Sequence, residues 1–124
     1  MDELNKFFKM LSDQNRLRIM IVLYYQELFV CEICGILELS QPKVSKHLTK
    51  LRDMGFVKDC RKEQFVSYRL NLQDPVLSSI IEKIAQNIEN YPQLKKDVEK
   101  IKLKNMYLNS CKCENSTNEN LGKN

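Results

Sequence analysis

The chain has no tryptophan, one histidine, three glycines and three prolines in 124 residues. So few glycines and prolines leave little material for the tight turns of an all-β fold and favour long helices. A single histidine, His47, excludes imidazole-rich metal sites. Long apolar runs are also absent. The longest, IMIVLYY from Ile19 to Tyr25, is a fraction of the roughly 20 residues a membrane-spanning helix needs. The opening MDELNKFF is acidic and lacks the shape of a secretion signal, so a cytoplasmic protein with no membrane partner is expected. There is no phosphate-cradling glycine loop, no nucleophile–base pair and no hydrolytic metal motif. The expectation is therefore not an enzyme, with no small organic substrate.

What is present is ordinary globular material: 43% apolar and 29% charged residues, in a length that suits one domain. Five cysteines, an odd number, do not suggest a disulfide framework in a reducing compartment. Cys31 and Cys34 form C-x-x-C, Cys111 and Cys113 form C-x-C, and Cys60 stands alone. Charge is unevenly spread. From Gln41 to Leu70, eight basic residues face three acidic ones, a local +5 in a chain of net charge +4. A basic stripe in one segment is the footprint of a polyanion partner.

Periodicity places the elements. Leu4, Phe7, Phe8 and Leu11 have helical spacing, and a second, largely buried helix spans about Asn15 to Tyr25. A short helix around Val30 to Leu37 turns Ile33, Ile36 and Leu37 inward, and Gly35 weakens it by roughly 1 kcal/mol relative to alanine. Ser40 is a good N-cap for the next helix, Pro42 suits a first turn, and Val44, Leu48 and Leu51 form its apolar stripe. Gly55 stands where a left-handed residue would end it. The period then changes to two. FVKDCRK and FVSYRL predict a two-stranded hairpin, with Val66, Tyr68 and Leu70 alternating against Ser67 and Arg69. Asp74-Pro75 starts a further helix with a dense stripe of Leu77, Ile80, Ile81, Ile84 and Ile88. Pro92 breaks it, and a last helix runs to about Leu108 with a lysine-rich solvated face. The expected organisation is a domain over residues 1–108 and a polar tail over 109–124 that carries the C-x-C pair.

Helix, turn, helix and hairpin make a mainly α, winged helix-turn-helix fold. Its second helix would enter the major groove of double-stranded DNA, and its wing would follow the backbone. Ser40, Gln41, Lys43, Ser45, Lys46 and His47 are placed to reach bases and phosphates, and Arg61 and Lys62 sit at the wing tip. His47 could instead be a satisfied polar residue on the helix face. The stripe through Leu77, Ile80, Ile81, Ile84 and Ile88 reads as a homodimer interface, packed with Leu4 and Phe8 of the first helix; plain core is the alternative.

The segments DQNRLRIMIVL, ELFVCEICGILELSQPKVSKHLTKLRDMGFV and RKEQFVSYRL resemble the ArsR/SmtB family of metal-responsive bacterial repressors. They resemble its D-x-x-R-L-x-I-L helix, its S-Q-x-x-V-S-x-H-L recognition helix and its R-x-G-x-x-V-x-Y-x-L wing, over roughly Leu4 to Ile88. Glu63 departs from the wing's glycine. The resemblance implies a homodimer that binds an operator and leaves it when a metal or metalloid binds. It also implies a DNA-contacting His47. In the arsenic-responsive branch the motif is E-L-C-V-C-x-x-C. Here it is ELFVCEIC, so Cys31 and Cys34 match the second and third cysteines and Phe29 replaces the first.

Helical residues three apart share a face, so Cys31 and Cys34 can serve one ligand. Thiolates select thiophilic ions: trivalent arsenic or antimony as inducer, with cadmium, lead or zinc as alternatives. Arsenite prefers three thiolates, and Cys111 and Cys113 in the tail are the candidates to complete the site. Other readings remain open. The pair could be small buried side chains, part of a four-cysteine zinc site, or a redox or sulfide switch. Thiol–disulfide exchange catalysis is disfavoured because C-x-x-C lacks a βαβ setting here. Cys60 reads as a packing or surface residue.

Overall fold

Asp13 opens the central helix. Its side chain accepts hydrogen bonds from the backbone N–H groups of Asn15 (2.9 Å) and Arg16 (3.1 Å), as an N-cap should. In the computed structural model, which describes residues 2–103, this helix α2 (Gln14–Tyr25) follows α1 (Asp2–Leu11). Six consecutive residues of α2, Arg18 to Leu23, are buried, because α1, α3, α4, α5, α6 and the sheet all touch it. The remaining elements are β1 (Leu28–Phe29), α3 (Val30–Leu37), α4 (Gln41–Asp53), β2 (Val57–Lys62), β3 (Phe65–Leu70), α5 (Pro75–Gln86) and α6 (Pro92–Glu99). Single 3₁₀ turns follow α5 (Ile88–Asn90) and α6 (Lys100–Leu103).

The apolar stripes read from the sequence build one core. Phe7 and Met10 of α1 meet Ile33, Ile36 and Leu37 of α3, Val44, Leu48 and Leu51 of α4, and Phe56 after α4. Phe7 and Phe56 pack edge to face at 5.5 Å. Asp74 caps α5 by accepting the Val76 N–H at 2.9 Å, as Asp74-Pro75 predicts.

The expected hairpin is present as β2 and β3, and β1 adds a third antiparallel strand in the order β1-β3-β2: Leu28 pairs with Tyr68 and Phe29 with Ser67. Two expectations change. Ser67, expected on the outer face, is buried between Phe29 of β1 and Cys60 of β2; its hydroxyl donates to the Glu27 carboxylate at 2.5 Å and lies 3.3 Å from the Cys60 carbonyl oxygen. The last helix is shorter than expected, with α6 passing into the 3₁₀ turn at Lys100, and part of its lysine face is paired. Lys95 bonds Glu89 at 2.7 Å, and Lys100 pairs with Glu38. The boundary at residue 108 and the 109–124 tail, with Cys111 and Cys113, lie outside the described residues.

Buried charge joins α2 to α6. Arg18 of α2 donates to both oxygens of Asp97 of α6, at 2.7 and 2.9 Å, and to the Leu37 carbonyl at the end of α3 at 3.0 Å. Gln93 completes the Asp97 shell at 3.0 Å.

Candidate DNA interface and thiol pair

Helix α4 lays its apolar stripe on the core and leaves a polar face outside. Val44, Leu48 and Leu51 are fully buried. Ser40, Gln41, Lys43 and Lys46 are exposed, and Ser45 and His47 are half-buried. Ser40 holds the extended N-cap backbone, although its side chain makes no capping bond, and Pro42 occupies the first turn. The helix ends at Gly55 (φ +86°) in a Schellman motif: Phe56 N–H donates to the Leu51 carbonyl and Gly55 N–H to the Arg52 carbonyl.

Beside α4 stands the wing. Lys62 pairs with Phe65 across a two-residue turn, Glu63-Gln64, and Arg61 and Lys62 are exposed on the strand that enters it. Glu63 has φ +56°, so the position demands the left-handed conformation that glycine adopts without steric cost. Arg52 at the end of α4 pairs with Asp59 of β2 at 3.3 Å, bracing the helix against the wing.

His47 lies where α4 meets the start of α2. Burial pushes its pKa below the usual histidine value. The Arg16, Lys46 and Lys43 charges act in the same direction, and Asp13 opposes them. The imidazole is therefore held toward its neutral form.

Cys31 and Cys34 sit one turn apart on α3, both half-buried. This helix touches α4 directly and is anchored at both ends. At its start, Phe29 is at once the N-cap and the last residue of β1. The Phe29 N–H donates to the buried Glu32 carboxylate at 2.8 Å, and its ring meets that of Phe65 in the wing at 5.5 Å. At its end, Glu38 adopts a left-handed backbone (φ +58°), and the N–H groups of Glu38 and Leu39 converge on the Cys34 carbonyl. The Glu38 side chain is paired with Lys100, whose hydrogen bond and charge hold that carboxyl below the usual range.

The chemistry of the pair fits a soft ion only in part. Two thiols share one helix, but among the described residues no group of three His, Cys, Asp or Glu could hold a metal. Cys60 is exposed on β2, and Cys111 and Cys113 lie outside the described residues.

The expected dimer residues divide. Leu77 and Ile81 are buried within the single chain, at 2% and 0% exposure, so plain core accounts for them without a partner. Ile80, Ile84, Ile88 and Leu4 are half-buried, and Phe8 is half exposed. Arg18, Asp97, Glu38 and Lys100 escaped sequence reasoning. Their charges lie in or beside helical stripes, and only tertiary packing pairs them.

Comparison with known proteins accords with this geometry. Residues 13–59 match the family described as "Bacterial regulatory protein, arsR family". The chain is 48% identical to the arsenic resistance transcriptional regulator ArsR1 of Pseudomonas putida over 55% of its own length and 54% of the relative's. It is 44% identical to ArsR2 of the same organism over 64% and 67%. The chain thus spans about half to two thirds of the length of these curated relatives. Among solved structures, HlyU from Vibrio cholerae superposes with a TM-score of 0.63 at 32% identity, covering 68% of this chain and 90% of that one. The AntR antimony-specific transcriptional repressor superposes at 0.62 with 26% identity, covering 74% and 82%. No helix among the described residues is long and apolar enough to cross a membrane.

Proposed function

Because the chain belongs to the arsR family of bacterial regulatory proteins, we propose that it is a homodimeric repressor that acts in the cytoplasm. It holds a double-stranded operator through α4 and the wing, and releases it when trivalent arsenic or antimony binds its cysteine thiolates. The observation that carries this reading is the position of Cys31 and Cys34 on α3, which packs on α4 and shares Phe29 with the wing sheet. The relatives named for arsenic resistance and the antimony-specific repressor support the choice of ion.

Cys31 and Cys34 would hold the ion, with Cys111 and Cys113 as the further thiolates. Coordination supplies binding free energy once the thiols lose their protons. The chain does the rest. Displacing the start of α3 pulls β1 against β3, and displacing its end loosens the Arg18–Leu37 and Glu38–Lys100 links. Gly35 lowers the helix's resistance to such a change. A coupling of a few kcal/mol, typical for two linked sites, suffices to empty an operator.

The test is one titration on the full chain. A labelled duplex is first selected from a random pool, and its release is then followed by fluorescence anisotropy with arsenite, antimonite, cadmium, lead and zinc. Cys31→Ser and Cys34→Ser should bind the duplex normally and not release it with arsenite. Normal release by the double serine variant would overturn the site assignment.

A second reading uses the two thiols that share α3. In it one cysteine thiolate attacks a polysulfide and breaks one of its S–S bonds, the second thiolate displaces the attached sulfur, and one Cys–Cys S–S bond forms while the polysulfide leaves as two sulfide-level fragments that carry the two protons. Release by polysulfide, with a mass loss of two hydrogens and no response to any ion, would select that reading.

A further inference from the structure

We propose a second phosphate-binding surface, on the side of the recognition helix away from the wing, which grips the DNA backbone between the two half-sites of the operator. This rests on the reading of the chain as a dimeric DNA-binding repressor. A cavity of about 300 Å³ opens between α1, α2 and α4, lined by Lys6, Lys9, Met10, Arg16, Lys50 and Met54. Four of the six are cations and none is an acid. Glu3 meets Lys6 at a loose 3.9 Å, with both side chains about half exposed, too weak a pair to neutralise the cluster. Arg16 is held in place: its Nε donates to the Met10 carbonyl at 3.1 Å, leaving the rest of the guanidinium to face the cavity.

The patch is continuous with the expected DNA face. Lys43, His47 and Lys50 follow one stripe of α4 at three- and four-residue spacing. His47 senses the charges of both Arg16 and Lys43, which places these groups around it. The wing lies on the opposite flank of α4, where Arg52 meets Asp59. The recognition helix is therefore bordered by cations on two sides, and a duplex seated on it meets both.

Helix α1 orients the patch on the operator. Its Leu4 and Phe8, the expected dimer seam, lie on one flank, and Lys6 and Lys9 lie on another. The cavity thus falls between α4 and the seam. In a two-fold dimer the two patches face the phosphates between the recognition helices, while the wings reach the outer ones.

The experiment uses the full chain and a duplex that it selects from a random pool. Lys9→Gln with Lys50→Gln should lower the slope of log K against log salt by roughly 1.8, about 0.9 for each phosphate no longer neutralised. Ethylation interference should vanish at central phosphates and persist at outer ones. Lys95→Gln with Lys102→Gln, on α6 and the 3₁₀ turn that follows it, should change neither. An unchanged slope, or interference that disappears at the outer phosphates instead, would overturn the proposal and leave the repressor reading intact. Failure of the unmodified chain to select any duplex would overturn both.

Discussion

Arg18 and Asp97 form a bidentate pair at 2.7 and 2.9 Å, with Asp97 fully buried and Arg18 nearly so. The pair fastens α6 to α2, and the third Arg18 hydrogen bond, to the Leu37 carbonyl, extends the fastening to the end of the cysteine helix. Removing one member leaves the other charge in a dry site without its partner. Asp97→Asn should therefore destabilise the chain by about 3–5 kcal/mol, read as a lower urea midpoint. Replacing both members with apolar residues of similar volume should recover most of that loss. A double variant as unstable as the single one would show that the pair's value lies in its geometry rather than in avoiding an uncompensated charge.

Glu63 and Glu38 both hold left-handed backbones, at φ +56° and +58°, and their substitution should separate strain from side-chain pairing. A non-glycine residue there costs roughly 1–2 kcal/mol. Glu63→Gly relieves that strain in a two-residue turn and should raise the unfolding midpoint. Glu38→Gly relieves the same strain but deletes the partner of Lys100, so its midpoint should rise less or fall. Equal gains from the two variants would mean that the Lys100 pairing contributes nothing.

The recognition helix and wing were legible because their signals are local. Val44, Leu48 and Leu51 have the period of a helix, Gly55 ends it, and two strand-forming runs follow on either side of a short turn. β1 was not legible, because two residues, Leu28 and Phe29, have no period at all. The stripe on α5 showed which residues face inward but not toward what. Leu77 and Ile81 are buried in the chain's own core, and their neighbours Ile80, Ile84 and Ile88 are half-buried. The D-x-x-R motif of α2 acquires its reason only in three dimensions. Asp13 accepts the Arg16 N–H, and the Arg16 side chain closes onto the end of α1.

His47 should make both stability and DNA binding depend on pH. Burial and the Arg16, Lys46 and Lys43 charges lower its folded pKa below the unfolded value of 6.5. The unfolded chain then binds more protons as pH falls, so this contribution to stability is complete above about 6.5 and is lost as pH drops through the folded pKa. Approach of DNA phosphates favours the protonated ring, so duplex binding should take up a proton and tighten as pH falls from about 8 toward 6. His47→Gln should flatten both profiles, measured by urea unfolding and by anisotropy across that range. Profiles that keep their slope in the variant would assign the pH dependence to groups other than His47.

Phe29 offers the sharpest test of how the thiol site is completed. It occupies the position where the arsenic-responsive motif has its first cysteine, and its ring packs on Phe65 of the wing at 5.5 Å. If Cys111 and Cys113 supply what Phe29 does not, then Cys111→Ser with Cys113→Ser should abolish release by arsenite while leaving duplex affinity unchanged. Adding Phe29→Cys to that variant should restore release, because α3 and its N-cap then carry all three cysteines of the C-V-C-x-x-C motif. The restored protein should be less stable by about 0.5–1.5 kcal/mol, since the Phe29–Phe65 ring pair is gone. Anisotropy of the labelled duplex against arsenite concentration reads each step. Full release by the tail double-serine variant would remove Cys111 and Cys113 from the site. Loss of release that Phe29→Cys fails to rescue would mean that the tail contributes something other than its thiols.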